Sequence, residues 1–269
     1  MKAVLRSHPV AAGLVLVLVV SLAVWTVRMV QVQQGVKRAR QYWAQPRGEP
    51  GGLLYVALGD STAQGVGASR PERGYVGLLA ERLRTTTGRP VQVVNLSRSG
   101  ARIADVLSEQ LPRLRALRPN LVTVAIGGND VRAYDATTFA AQVEALTAAL
   151  PAGTVVADAP YFMHGHWERD AQQAADTLTR SAHARGLDVV PLHEALRREG
   201  WSAMLDQFAA DWFHPNDRGY RVWERAFWDT IRASAAGARL HLSTAHSAGV
   251  HTSSSYGTAL LQRGRQGLS

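Results

Sequence analysis

Three polar side chains in two distant stretches of the sequence are of the types that carry out acyl transfer. Ser61 follows an apolar run, and the pattern predicts that it lies just past a strand and opens a helix, with its hydroxyl at the edge of a sheet. Asp211 and His214 are separated by two residues, so a single tight turn would bring a carboxylate and an imidazole to the same side. Asp211 could then accept the Nδ1–H of His214, leaving Nε2 free to take the proton of Ser61.

Two further residues could stabilise negative charge on a reacting carbonyl oxygen. Gly100 offers a backbone N–H that a substrate can approach closely, because glycine has no Cβ. Asn129 supplies a neutral side-chain amide as a donor. Acyl transfer needs a nucleophile, a base, a group that orients the base, and oxyanion donors. Each piece alone also fits an ordinary turn, helix start or structural hydrogen bond, but the combination in this order favours a catalytic site.

Short apolar runs that alternate with helical patterns must position these residues. Continuous apolar strands separated by helices predict a three-layer α/β/α sandwich with a five-stranded parallel sheet. Ligands of such sheets bind at the carboxyl ends of the strands, where Ser61, Gly100 and Asn129 fall. The predicted strands are residues 53–58, 91–96, 121–126, 154–159 and 187–192. Two apolar helix stripes are predicted to pack in the core: Phe139, Val143, Leu146 and Leu150, and Tyr220, Trp223, Phe227 and Ile231.

The N-terminal stretch predicts a membrane anchor. Residues 10–27 are uncharged and apolar, and as a helix they would span about 27 Å, close to the hydrocarbon thickness of a bilayer. The run is longer than the apolar region of a signal peptide, and no small-residue cleavage site follows it, so an uncleaved anchor is favoured over a cleaved signal. Domains are predicted at 1–30 (anchor, transmembrane about 10–27), 31–52 (juxtamembrane linker), 53–235 (catalytic domain) and 236–269 (flexible tail rich in Ser, Thr, Gly and His).

The distribution of charge argues against nucleic-acid binding. The chain carries a net charge of +9, but residues 51–235 hold 20 basic and 20 acidic residues and are formally neutral. The excess lies in the flanks, whereas a nucleic-acid module concentrates positive charge on its folded domain. Basic residues after the anchor (Arg28, Lys37, Arg38, Arg40 and Arg47) would keep the following domain in the cytoplasm by the positive-inside rule.

Four stretches together resemble the SGNH or GDSL-type serine hydrolases over about residues 53–235. They read GDSTAQGVG (59–67), NLSRSGARIADVL (95–107), GGND (127–130) and DWFHPNDRGY (211–220). The resemblance implies that Ser61 is the nucleophile and that His214 is the base, oriented by Asp211. It also implies an oxyanion hole formed by the Ser61 and Gly100 backbone N–H groups and the Asn129 side chain. The family fold is flavodoxin-like, and the resemblance favours a domain outside the cytoplasm, against the flanking charges.

The sequence therefore predicts a membrane-anchored serine esterase that hydrolyses carboxylic ester or thioester bonds through an acyl-enzyme, with lipid-derived acyl esters favoured. A carbohydrate or cell-wall O-acetyl esterase, or an acyltransferase, would use the same residues. A non-catalytic envelope binding module is the alternative from another class. No cofactor or metal is predicted: the chain has no cysteine, and His164 and His166, interpreted as part of a loop at the site's rim, lack a partner at ligand spacing.

Overall fold

The computed structural model describes residues 9–163 and 165–242. Its centre is one six-stranded sheet of order β1-β3-β2-β4-β5-β6. The strands are β1 (Arg47–Gly48), β2 (Leu53–Gly59), β3 (Val91–Asn95), β4 (Leu121–Ala125), β5 (Val155–Ala157) and β6 (Asp188–Val190). Strands β2 to β6 pair in parallel, which confirms the five predicted strands. The sequence did not indicate β1, a two-residue edge strand antiparallel to β3, because it is too short to form an apolar pattern.

Helices cover both faces of the sheet. They are α1 (Pro9–Tyr42), α2 (Tyr75–Thr87), α3 (Ile103–Asp105), α4 (Leu111–Arg115), α5 (Gly128–Val131), α6 (Ala136–Ala149), α7 (Gly165–Ala184), α8 (Leu192–Glu199), α9 (Ala203–Asp206), α10 (Asp217–Ala233) and α11 (Ala235–Arg239). A 3₁₀ turn spans Pro71–Arg73, and a π-helical turn, Val106–Gln110, joins α3 to α4.

Side chains that alternate along each strand build two cores, one on each face of the sheet. On β2, Tyr55 and Ala57 enter the core under α2 and α10, while Val56 and Leu58 enter the core under α6 and α7. The two predicted helix stripes are buried in these cores as expected. The three-layer α/β/α sandwich is thus confirmed.

Helix α1 corrects the predicted linker at 31–52. The helix continues to Tyr42 without a break, and Ala39 and Trp43 are buried against the domain, 1% and 7% exposed. Between Arg28 and Tyr42 there is no proline, and small or apolar residues recur at helical spacing on the packed side. The basic residues Lys37, Arg38 and Arg40 lie on the exposed side of this helix.

The exposed part of α1 has the composition of a membrane span. An 18-residue stretch of this helix has a mean hydropathy of 2.3, and none of the residues in the stretch is buried in the protein. The large apolar side chains from Leu14 to Val30 face outward. Length and composition therefore allow this helix to cross a bilayer, although a signal sequence has the same character.

The boundary predicted at residue 236 is too early. Helix α11 is capped by Ser234, whose Oγ accepts the Gly237 N–H at 3.1 Å. Ala236, Leu240 and Leu242 are buried and close one end of the core. Apolar and small residues predominate from Ala235 to Leu242, where only Arg239 and His241 are polar, and this composition allows the segment to pack. The rest of the predicted tail lies outside the described residues.

Candidate active site

Ser61 lies at the carboxyl end of β2 and is 5% exposed. The residue two positions before it, Gly59, has φ 147°, and a Cβ there would come within 2.2 Å of the Ala125 carbonyl oxygen on β4. Only glycine therefore lets β2 end this close to β4. The buried amide of Gln110 also holds Gly59: its oxygen accepts the Gly59 N–H at 2.9 Å, and its nitrogen donates to the Gly59 carbonyl at 2.8 Å. The backbone that leads to Ser61 is thus fixed from two sides.

The chain after Ser61 does not form the helix that the sequence predicted. It forms consecutive turns, in which the Val66 N–H bonds to the Ser61 carbonyl at 3.0 Å. Gly65 and Gly67 have φ of 74° and 95°, a left-handed conformation that interrupts a helix. Ser61 is consequently presented by a tight turn and not by a helix N-terminus.

His214 is placed directly beside Ser61. Its Nε2 lies 2.9 Å from Ser61 Oγ, and its Nδ1 lies 2.6 Å from Asp211 Oδ2. The other Asp211 oxygen accepts the backbone N–H groups of Phe213 and His214, both at 3.0 Å. Trp212, with φ 56°, forms the tight turn between carboxylate and imidazole. The predicted Asp211-x-x-His214 spacing therefore joins all three predicted side chains in one hydrogen-bonded line.

The charge on Asp211 is favoured by its partners. Burial alone would raise its pKa, but the hydrogen bond from His214, the charge of that imidazole and the two backbone N–H groups outweigh burial and lower the pKa. An ionised Asp211 holds the proton of His214 on Nδ1. In the tautomer with its proton on Nδ1, His214 presents Nε2 as an acceptor to the hydroxyl of Ser61, which is the arrangement that proton removal requires.

The predicted oxyanion donors lie on two other loops, which hydrogen bonds connect to the turn of Ser61. Gly100 has φ 78° and lies in an exposed turn with open space where a side chain would be. Asn129, at the start of α5, lines the cleft, and its Nδ2 donates to the Ala101 carbonyl at 3.0 Å and to Asp60 Oδ2 at 3.3 Å. Burial raises the pKa of Asp60. The Asn129 amide is thus held between two acceptors rather than left unpaired.

Gln64 links the turn of Ser61 to the turn of Gly100, a role that the sequence did not reveal. Its Nε2 donates to the Ser97 carbonyl at 2.9 Å, and its Oε1 accepts the N–H and the hydroxyl of Ser99 at 3.1 and 2.6 Å. The carbonyl of Gln64 in turn accepts the indole N–H of Trp43 at 3.0 Å. Glutamine is common on protein surfaces, and only the folded chain shows that this one is buried between two loops.

A largely apolar cleft opens beside Ser61 and Asn129. Its volume is about 1110 Å³, including the part open to solvent. The large apolar side chains in its walls include Tyr161, Phe162, Met163, Leu196, Met204, Phe208, Trp212 and Phe213. Such a lining suits an apolar group better than a charged one.

One wall of the cleft is held by a buried polar cluster. Glu168 accepts the Phe162 N–H at 2.8 Å and lies 2.9 Å from His193 Nε2. Asp158 accepts the His193 N–H at 2.7 Å, and burial raises the pKa of Asp158 to about 7 against the lowering effect of its backbone hydrogen bonds. The aromatic loop after β5 is thereby tied to α7 and α8.

Among the described residues, no group of three or more His, Cys, Asp or Glu side chains could hold a metal ion. His166 lies in the first turn of α7, where its ring contacts Trp167. The sequence placed it in a rim loop instead. Its neighbour His164 lies outside the described residues.

Comparison with known proteins identifies the family of the folded region. The sequence model of a family described as the GDSL-like lipase/acylhydrolase family matches residues 57–222. No curated protein sequence matches the chain.

Several solved structures share the fold. LAE5, an α/β hydrolase enzyme from the metagenome of Lake Arreo, Spain, is 24% identical with a TM-score of 0.57, over 70% of this chain and 96% of LAE5. A variant of Axe2, an acetyl xylan esterase from Geobacillus stearothermophilus, is 23% identical with a TM-score of 0.57, over 66% and 94% of the two chains. TesA is 25% identical with a TM-score of 0.57, over 67% of this chain and 98% of TesA.

Proposed function

Because the chain belongs to the GDSL-like lipase/acylhydrolase family, we propose that it is a serine esterase in which Ser61, His214 and Asp211 form the catalytic triad. One observation carries this proposal: Ser61 Oγ, the imidazole of His214 and the Asp211 carboxylate form a continuous line with separations of 2.9 and 2.6 Å. These distances allow proton transfer without rearrangement.

In the proposed reaction, His214 Nε2 takes the Ser61 proton as Oγ attacks the acyl carbonyl. The negative charge on the carbonyl oxygen is stabilised by the backbone N–H groups of Ser61 and Gly100 and by the Asn129 side chain. His214 then protonates the leaving alcohol or thiol as its bond to the acyl carbon breaks. Water, deprotonated by His214, hydrolyses the acyl-enzyme and restores the serine hydroxyl.

The cleft supports lipid-derived acyl esters or thioesters as substrates. Its walls carry aromatic and methionine side chains, which would accommodate an alkyl chain by burying apolar surface. A carbohydrate O-acetyl esterase would use the same triad, and activity against p-nitrophenyl esters from acetyl to palmitoyl separates the two. A maximum at acetyl with no activity on longer chains would reject the lipid assignment. An acyltransferase is distinguished by product analysis with an added acceptor.

The decisive test of the triad is Ser61→Ala in the purified full chain. We expect ester hydrolysis to fall by about 10⁴-fold or more, because the substitution removes the nucleophile of the proposed reaction. A fluorophosphonate probe should label the wild type and not the variant. An unlabelled wild type would instead point to a non-catalytic binding module.

We also propose that α1 is retained as a single-pass anchor. The support is that its C-terminal part is packed into the folded domain through Ala39 and Trp43, while its N-terminal part exposes an apolar band. The family resemblance favours a domain outside the cytoplasm, and the flanking charges favour the opposite side. Protease accessibility of the domain in sealed membranes decides the topology.

A further inference from the structure

The exposed large hydrophobic side chains that the structure describes fall into two groups. One is the apolar band of α1, and the other lies on the chain segments that line or adjoin the cleft. We call the second group the mouth patch; it consists of Trp167, Trp201, Leu205, Trp212 and Phe213, which are between 39% and 83% exposed. Trp212 and Phe213 line the cleft, and the other three lie within four residues of a lining residue in sequence.

A contact between α1 and the mouth patch fixes the depth of the patch relative to a membrane. The guanidinium of Arg28 lies over the Trp212 ring, 5.8 Å from its centre. Arg28 is the first charged residue after the apolar stretch 10–27, so it marks the end of the hydrocarbon segment, because a charged side chain is costly inside a bilayer. Trp212 must then lie at the membrane interface, the region that tryptophan favours.

The orientation of the domain on α1 is held at further points. Arg38 donates to the Ser69 carbonyl at 3.2 Å, Ala39 is buried, and the Trp43 indole bonds to Gln64. The domain therefore lies along the part of α1 that leaves the bilayer, with the mouth of the cleft at the end nearest the membrane.

We propose that the mouth patch docks on the surface of the same phospholipid bilayer that holds α1, so that an acyl chain enters the cleft from the membrane. Docking requires only that α1 be embedded, whereas delivery of a substrate rests on the proposed esterase function. The predicted substrate class is accordingly an ester or thioester that resides in the bilayer.

The docking is tested by depth measurement on the full chain. Because the chain has no cysteine, Leu205→Cys can carry a single fluorophore. Ala148→Cys is the matched control, exposed near the end of α6, which leads into the amino end of β5 and not to the carboxyl ends of the strands where the cleft lies. In phosphatidylcholine vesicles that contain lipids spin-labelled near the headgroup, we expect strong quenching at 205 and little at 148. Equal quenching of the fluorophores at positions 205 and 148 would overturn the proposal. Protection of the fluorophore at position 205 that increases with protein concentration would also overturn it, because it would indicate that a second copy of the chain covers this surface.

Delivery is tested by a ratio of two activities. Leu205→Glu should lower turnover of a bilayer-embedded acyl ester by about five- to tenfold relative to turnover of soluble p-nitrophenyl butyrate, because a charge replaces an apolar contact with the interface. Ala148→Glu should leave this ratio unchanged. An unchanged ratio in Leu205→Glu would overturn delivery from the bilayer. A wild type that hydrolyses neither ester would contradict the proposed function, while the quenching experiment would still decide the docking.

Discussion

Asn129 is the proposed oxyanion donor whose side chain is already engaged. Its amide donates to Ala101 at 3.0 Å and to Asp60 at 3.3 Å, so a substrate oxyanion would compete for the longer hydrogen bond. We expect Asn129→Ala to lower kcat by about 10²–10³-fold, or roughly 3–4 kcal/mol, because the charge appears only in the transition state. Steady-state kinetics measure this loss, and KM should change little. A normal kcat in the variant would mean that Asn129 merely braces Asp60.

Asp158 makes the stability of the domain depend on pH. Its pKa is raised from the ordinary value of 3.8 to about 7, chiefly by burial, so the folded chain keeps this proton at pH values where the unfolded chain has lost it. The stabilisation is therefore complete below about pH 4 and is lost as pH rises through about 7. Asp158→Asn keeps an oxygen acceptor for His193 but carries no charge.

The variant should consequently match the wild type in free energy of unfolding near pH 4 and exceed it by roughly 4 kcal/mol at pH 8, since each unit between the two pKa values is worth about 1.4 kcal/mol. Chemical unfolding of both proteins across this pH range measures the difference. The exposed Asp229→Asn serves as the control for loss of a carboxylate. If the difference in unfolding free energy between variant and wild type does not increase with pH, Asp158 is ionised in the folded chain.

At the scale of elements, the link between the π-helical turn and β2 positions the nucleophile. Gln110, the last residue of that turn, bonds to both backbone groups of Gly59. Gln110→Leu should destabilise the chain by about 1–3 kcal/mol, because the buried Gly59 N–H loses its partner. It should also lower kcat with little change in KM, since Ser61 would lose its fixed backbone.

Thermal unfolding and steady-state kinetics test both effects. Gln173→Leu, an exposed position on α7, is the matched control and should change neither. If Gln110→Leu unfolds earlier but turns over normally at low temperature, its role is structural only.

The regular elements could be predicted from the sequence because their signals are local. Apolar runs such as residues 121–126 indicate strands, and the stripe through Val143 repeats at helical spacing. The turn after Ser61 was wrongly predicted as a helix start, because glycines that adopt a left-handed conformation are not distinguished by pattern alone. Gln64 and Gln110 were missed for a different reason: their partners are distant in sequence, and glutamine has no pattern that marks burial.

At the scale of the whole molecule, α1 belongs partly to the catalytic domain. The sequence separated anchor, linker and domain because the apolar run ends at residue 27 and a Pro/Gly-rich stretch, residues 46–52, precedes the first predicted strand. What it could not show is that one face of residues 28–43 packs on the turn that follows Ser61. Helical spacing on that face is the signal that was available, since Val32, Val36, Ala39 and Trp43 recur at three or four residues.

Trp43 tests this division of the chain. Its ring is buried and its indole N–H bonds to Gln64, three residues after Ser61, whereas Trp25 is 59% exposed on the apolar band of the same helix. Trp43→Ala in the full chain should therefore cost about 3–5 kcal/mol of folding free energy and lower kcat. Trp25→Ala should leave unfolding in detergent unchanged. If Trp43→Ala and Trp25→Ala change the free energy of unfolding and kcat equally little, residues 31–43 are a tether and not part of the fold. If they differ as expected, a catalytic domain that begins at residue 53 would lack a piece of its own core.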